Sequence, residues 1–307
     1  MEMGREYSDE VHSVEGDWGL SSEIGKLKSV FMRRPGHEVE GVTDAQLASW
    51  RSIIDPEKVR AQHDKVVSIY KENDINVYMI DKMDPNCHCG FFCRDQIIGT
   101  PEGAILARMG LKVRVNEVKY VEKKLAQLKV PIIRAIHGRG VFEGACIEFI
   151  DRKTAIIGIG LRSNDSGFQQ VADILRTMGV KNIIKVDIAR NQNHLDGFLG
   201  IADYETAVTY PYITPNVIYD ELEKRGFRFI EVPTFEEKIN FACNFVTLEP
   251  GKILMSAGTP RTRDLLIDAG VKVIEVNIDE IKKGGGGLHC ITGVLSREEI
   301  PIYLIKN

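Results

Sequence analysis

A phrase of short apolar strand, polar turn or loop, helix and second strand recurs five times along this sequence, and it constrains the fold more than any other feature. The first strands read KSVFMRRP, GAILARMG, TAIIGIGLRS, TAVTYPYIT and KILMSAGTP. With Phe31, Ile105, Ile157, Val208 and Leu254 as markers, the separations are 74, 52, 51 and 46 residues, a repeat of roughly 50. PEKVRAQHDKVVSIYKEND (56–74) has the i, i+3, i+4 apolar spacing of an amphipathic helix and leads into the strand INVYMID (75–81). FQQVADILRTMGV, PNVIYDELEKRGF and TPRTRDLLIDAGV lead in the same way into KNIIKVDI, RFIEVP and KVIEVN. Such a repeat builds either one closed or stacked array or an ordinary α/β sheet, and no stretch reads as an interdomain linker.

Composition narrows the setting. With 307 residues, 43% of them hydrophobic, the chain can bury a large core. A net charge of -4 and a pI near 6.0 give no electrostatic case for nucleic acid or an anionic membrane as partner. No apolar run approaches the roughly 20 residues that span a bilayer. The opening MEMGREYSDEVHSVEGDWG has neither the basic nor the apolar region of a signal peptide, so a cytoplasmic protein is expected. The cysteines at 87, 89, 93, 146, 243 and 290 are too sparse for a disulfide scaffold, and reduced thiols are expected.

Four stretches place chemistry-bearing residues among apolar or glycine-rich neighbours. FFCRDQ (91–96) carries Asp95, VFEGAC (141–146) sets Glu143 in an apolar strand, and NHLDGF (193–198) holds His194 and Asp196 two apart, on one face if extended. GGGGLHCITG (284–293) ends in Cys290, and reads as a pliable approach that brings the last strand close to a substrate. Each has an ordinary structural explanation taken singly: an ion pair, a solvated carboxylate, a satisfied histidine, a loose turn. Together, three carboxylates, one imidazole and one thiol suit chemistry on a planar cation. A guanidinium is always charged. Carboxylates grip its N–H groups bidentately, a thiolate attacks its central carbon, and a histidine moves the protons.

The stretches SSEIGKLKSVFMRRPGHEV, FFCRDQ, VFEGAC, HLDGFLGIADYETAVTYP and GGGGLHCIT resemble the guanidino-group-modifying enzymes of the pentein fold. That group includes arginine deiminases, dimethylarginine hydrolases, agmatine deiminases and amidinotransferases, and arginine deiminase is the nearest likeness. The resemblance runs from about Ser21 to the C-terminus. It implies an α/β fold, a five-bladed propeller of pseudo-fivefold ββαβ modules, as a single catalytic domain over residues 21–307 behind an N-terminal extension over 1–20. By resemblance Cys290 is the nucleophile, His194 the general acid/base and Glu143 its support. Asp95 and Asp196 hold the guanidinium, while Arg162, and more loosely Arg114, hold a substrate carboxylate. The implied reaction hydrolyses arginine to citrulline and ammonia with no cofactor and no metal. Amidino transfer, arginine dihydrolysis, and hydrolysis of agmatine or dimethylarginine are the alternatives within the fold, and a non-enzymatic binding protein the alternative outside it. The partner is a small guanidino molecule, and the sequence leaves homo-oligomer formation open.

The sequence also departs from the family pattern. Cys146 stands where an acidic residue is usual, Gln96 where proline commonly follows Arg-Asp, and His289 before the cysteine is more like agmatine deiminase. CHCGFFC (87–93) gathers three cysteines and His88, but no second ligand pair completes a zinc site. It reads as a reduced loop leading to Asp95.

Overall fold

The computed structural model describes Gly16 and residues 18–300. Most of the expected extension over 1–20 lies outside the described residues, yet its last two residues are tied into the fold. The Gly19 N–H donates to Leu295 O at 3.0 Å and the Leu20 N–H to Thr100 O at 2.8 Å.

Five three-stranded sheets share one plan. Strand β1 (Leu27–Met32) runs parallel to β2 (Asn76–Met79) and antiparallel to the last strand, β15 (Gly293–Arg297). The second sheet is β3 (Ile97–Thr100), β4 (Gly103–Leu106) and β5 (Ile132–Ala135), and the third is β6 (Ile147–Asp151), β7 (Thr154–Ile159) and β8 (Asn182–Asp187). The fourth is β9 (Leu199–Ile201), β10 (Thr206–Thr209) and β11 (Arg228–Glu231). The fifth is β12 (Val246–Glu249), β13 (Lys252–Ser256) and β14 (Lys272–Val276). In each, the central strand pairs antiparallel with the first and parallel with the third.

A parallel pair needs a crossover, and a helix supplies it every time. These are α1 (Pro56–Glu72), α2 (Val118–Leu128), α3 (Asp165–Thr177), α4 (Asn216–Glu223) and, after the short α5 (Phe235–Ile239), α6 (Pro260–Asp268). Two one-turn helices, α7 (Asp279–Lys282) and α8 (Leu288–Ile291), precede β15. Sequence explains the boundaries of α1: Asp55 accepts from the N–H groups of Glu57 and Lys58, and Pro56 occupies the first turn, where its missing N–H costs nothing.

The five sequence markers fall on β1, β4, β7, β10 and β13, the five central strands. Central strands are buried on both faces, so they read as continuous apolar runs. The third strands β5, β8 and β14 are largely exposed. The first strands β3, β6 and β15 are buried from end to end, with Glu148, Asp151 and Arg297 the charged side chains within them. Among the described residues no helix is long and apolar enough to cross a membrane.

Candidate active site

Each first strand is entered through a turn, and the turns carry the polar residues. Asp95 lies in the 3-10 turn Cys93–Gln96 before β3, and Glu143 stands just ahead of the turn Gly144–Cys146 before β6. His194 precedes, and Asp196 lies in, the turn Leu195–Gly197 before β9. Cys290 lies in α8 before β15. Sequence reasoning set Glu143 in an apolar strand, which the structure corrects, and the one-face expectation for His194 and Asp196 held only for an extended chain, which the turn replaces. Asp95, His194 and Cys290 thus meet the cavity from strand entries, not from within the strands. His194 and Asp196 consequently face different partners.

The glycine run is not pliable. A Cβ on Gly286 would lie 2.5 Å from Phe92 Cε1, and one on Gly287 2.5 Å from Asn244 Oδ1, so both positions are closed by packing. Gly285 alone of the four has a positive φ, 93°. The run delivers a helical turn rather than a strand, and Cys290 sits on it, 8% exposed. Its Sγ lies 3.5 Å from Asp196 Oδ2 and receives a hydrogen bond from Asn244 Nδ2 at 3.2 Å. Burial, and then the charges of Asp196 and Asp95, push the thiol well above the usual cysteine range. The resting Cys290 side chain is therefore a neutral thiol.

His289 occupies the far side of Asp196. Its Nδ1 lies 3.0 Å from Asp196 Oδ2, and its Nε2 lies 3.6 Å from Glu23 Oε2. Burial opposes its charge, but the bonds to Asp196 and Glu23 outweigh it and raise the imidazole to about 9. Asp196 answers in the opposite sense: burial would raise it, and His289 holds it below its ordinary value.

The second imidazole is held by other carboxylates. His194 Nε2 lies 2.8 Å from Glu143 Oε2, and its Nδ1 lies 3.7 Å from Asp95 Oδ1. Glu143 also accepts from the Gly110 N–H at 2.8 Å. Burial would raise Glu143, yet His194, Arg114 and Arg162 bring it down to about 2. Burial likewise works against a charged His194, and Asp95 and Glu143 overcome it, so its pKa is raised. Asp95 Oδ1 is buried without a hydrogen-bond partner among the described residues. It is the open acceptor of the group.

Arg114 and Arg162 part company. Arg114 Nη1 donates to Asp95 Oδ2 at 2.5 Å, its Nε to both oxygens of Glu117, and its Nη2 to Glu117 and to the carbonyls of Cys89 and Phe92. All its nitrogens are turned to protein, so it braces Asp95 instead of presenting a free guanidinium. Gln96, in place of the usual proline, donates to Glu117 at 3.1 Å and holds this brace from behind. Arg162 donates one hydrogen bond, from Nε to Asn193 Oδ1 at 3.4 Å; its Nη1 is buried without a hydrogen-bond partner and lies 3.8 Å from Glu143 Oε1.

Part of this constellation lines one cavity of about 230 Å³, the size class of an amino acid rather than a polymer. Asp95, His194 and Cys290 face it with Arg162 and Arg51. Sequence reasoning missed Arg51, whose guanidinium stacks over Phe241 at 4.6 Å, and Asn244. Of the CHCGFFC thiols, Cys89 reaches the cavity wall, while Cys87 and Cys93 pack into the apolar cluster around Phe31. Cys146 is fully buried beneath Glu143 and packs as an apolar side chain.

Fold and site together define a class: this is a protein of the pentein superfamily, with five repeated sheets converging on a thiol, two imidazoles and their carboxylates. Within it, residues 42–297 match the family described as N,N dimethylarginine dimethylhydrolase, eukaryotic, and the chain belongs to that family. It is 24% identical over 270 residues to the N(G),N(G)-dimethylarginine dimethylaminohydrolase of Pseudomonas aeruginosa, covering 87% of this chain and 98% of that one. It is 20% identical to an arginine deiminase of Listeria monocytogenes over 407 aligned positions, 94% of this chain and 99% of that one. Among solved structures, a cysteine-to-serine mutant of the Pseudomonas aeruginosa protein complexed with citrulline superposes with a TM-score of 0.74 at 24% identity, covering 88% and 99% of the two chains. The N-terminal domain of an arginine dihydrolase from the cyanobacterial ornithine–ammonia cycle gives 0.75 at 20% identity, covering 90% and 100%.

Proposed function

We propose that the protein is a cysteine hydrolase of the guanidino group of arginine, giving citrulline and ammonia. The observation that carries this reading is the convergence of Cys290, His194 and the open oxygen of Asp95 on one cavity, with Arg162, whose Nη1 makes no hydrogen bond, at its wall. A guanidinium is the cation this cavity suits. Its charge offsets Asp95 and Asp196, whose repulsion keeps the thiol protonated, so substrate entry itself favours the thiolate. Arg162, with Arg51 opposite, takes the α-carboxylate.

In the reaction, the Cys290 thiol releases its proton to solvent once the cation is bound, and the thiolate attacks the guanidinium carbon, forming a C–S bond as the C=N π pair moves onto nitrogen. His194, charged and held by Glu143, gives its proton to the departing nitrogen, the C–N bond breaks and ammonia leaves. The covalent thiouronium is then attacked by water, whose proton returns through His194. The C–S bond breaks and citrulline departs as the thiol re-forms. Five sheets of one plan, with β15 joining β1 to bring both chain ends into one sheet, support a closed five-bladed propeller forming one catalytic domain from residue 21.

The family match favours a second substrate, N-methylated arginine, for which the same steps release a methylamine in place of ammonia. Incubation with arginine, Nω,Nω-dimethylarginine and agmatine, with and without an added amine, separates the readings. Citrulline with ammonia from arginine supports the first, and citrulline with dimethylamine supports the second. Ornithine marks dihydrolysis, and transfer of the amidino group to the amine overturns hydrolysis.

A further inference from the structure

Four of the five sheet entries supply a residue to the site: Asp95 before β3, Glu143 before β6, His194 and Asp196 before β9, and Cys290 before β15. The fifth entry, before β12, holds Asn244, which is 1% exposed. The backbone N–H groups of His289 and Cys290 both point at one atom of its amide, at 3.0 and 3.4 Å. That atom has to be the acceptor Oδ1. The other amide atom is therefore the donor Nδ2, and it meets Cys290 Sγ at 3.2 Å and the carbonyl of Asp196 at 3.3 Å. One side chain thus fixes the turn carrying the thiol, joins it to the turn carrying Asp196, and aims an N–H at the sulfur.

The surroundings are built to admit it. A side chain on Gly287 would collide with Asn244 Oδ1 at 2.5 Å. Phe241, three residues upstream, is held at φ 67°, a left-handed conformation that costs an aromatic residue energy. Its carbonyl accepts the Asn244 N–H at 3.0 Å, closing the turn that presents the amide.

Resting on the reading of Cys290 as nucleophile, we propose that Asn244 is a positioning residue that locks the Cys290 side chain and stabilises its thiolate through the Nδ2–H···S hydrogen bond. The other charged groups facing Cys290 are Asp196, Asp95 with its Arg114 brace, His194, His289, Arg51 and Arg162. Of these the two aspartates oppose the thiolate, and Asn244 Nδ2 and the Gly287 backbone are the neutral groups that favour it by hydrogen bonding to the sulfur. A hydrogen bond to a charged group is strong enough to move a titration by about one pH unit or more.

The test is the pH profile of Cys290 alkylation by iodoacetamide, read as modification of the Cys290 peptide by mass spectrometry. Asn244→Asp keeps the acceptor for the two backbone N–H groups and replaces the donor with an oxygen. Its alkylation midpoint should rise by about one unit or more, with a fall in kcat of about tenfold or greater at neutral pH. Asn244→Ser, which removes the amide without adding charge, should shift the midpoint in the same direction and serves where the aspartate variant does not fold. A folded variant of either kind with the wild-type midpoint overturns the proposal. Alkylation needs no turnover. Were Cys290→Ala to remain active, the nucleophile assignment would fail while the Asn244 hydrogen bond could still be judged by this profile.

Discussion

The thiol of Cys290 lies 3.5 Å from Oδ2 of Asp196, and that carboxylate is itself 3.0 Å from the Nδ1 of His289. The thiol is thus next to a negative charge, which in turn is balanced by a buried imidazolium. An anion at the sulfur is disfavoured until a cation enters the cavity.

Asp196→Asn removes the repulsion nearest the thiol. The expected result is a lower pH midpoint for Cys290 alkylation together with a loss of turnover of about a hundredfold, because substrate grip is lost too. A midpoint unchanged or raised in the variant would show that Asp196 does not govern the thiol.

The two arginines should fail differently. Arg162→Gln is expected to raise KM for arginine by about ten- to a hundredfold with little change in kcat, and to leave agmatine, which lacks the carboxylate, unaffected. Arg114→Ala leaves Asp95 and Glu117 buried without their cation and should cost about 3–5 kcal/mol of stability, seen as a large fall in Tm. Equal effects of Arg162→Gln on the two substrates would contradict the carboxylate assignment.

Gly287→Ala should lower kcat by disturbing the Asn244 contact. Gly285→Ala, whose cost is a strained φ of 93°, should lower stability by about 1 kcal/mol. Kinetics and thermal melts on the pair check this, and a wild-type kcat for Gly287→Ala would argue against a packed approach to the nucleophile.

Stability should fall toward both ends of the pH range. His289 has a folded pKa raised from 6.5 to about 9, so its contribution is complete below about 6.5 and is lost as pH rises through about 9. Glu143 is depressed from 4.5 to about 2, so its contribution is present above about 4.5 and fades as pH falls toward 2. Unfolding free energies from urea melts between pH 5 and 10 should decline on the alkaline side by on the order of a few kcal/mol in the wild type, and less steeply in His289→Gln. An equal slope in the variant would remove His289 from this account.

Much of the fold was legible because central strands buried on both faces cannot hide: Phe31, Ile105, Ile157, Val208 and Leu254 mark them all. The first strands were not, since β9 spans only three residues, Leu199–Ile201, and carries no periodicity of its own. Asp95, Glu143, His194, Asp196 and Cys290 do converge, as their residue types suggested. Their placement on turns was invisible, because period-two reasoning assumes a strand wherever the chain is apolar. Arg114 misled for a related reason: nothing in KVRVNE says that Glu117, three residues on, will take its guanidinium inward. Asn244 carries no chemical signature in CNF. The fivefold repeat was the signal that could have found it, since four sheet entries bear site residues and the fifth invites the question.

The most direct measurement is an acid quench of the protein during turnover with arginine, followed by mass spectrometry of the intact chain and of the Cys290 peptide. The account predicts a covalent adduct on Cys290 with the mass of arginine less ammonia, absent from Cys290→Ala, which should be folded and inactive. Turnover by Cys290→Ala, or an adduct on any other residue, would contradict it.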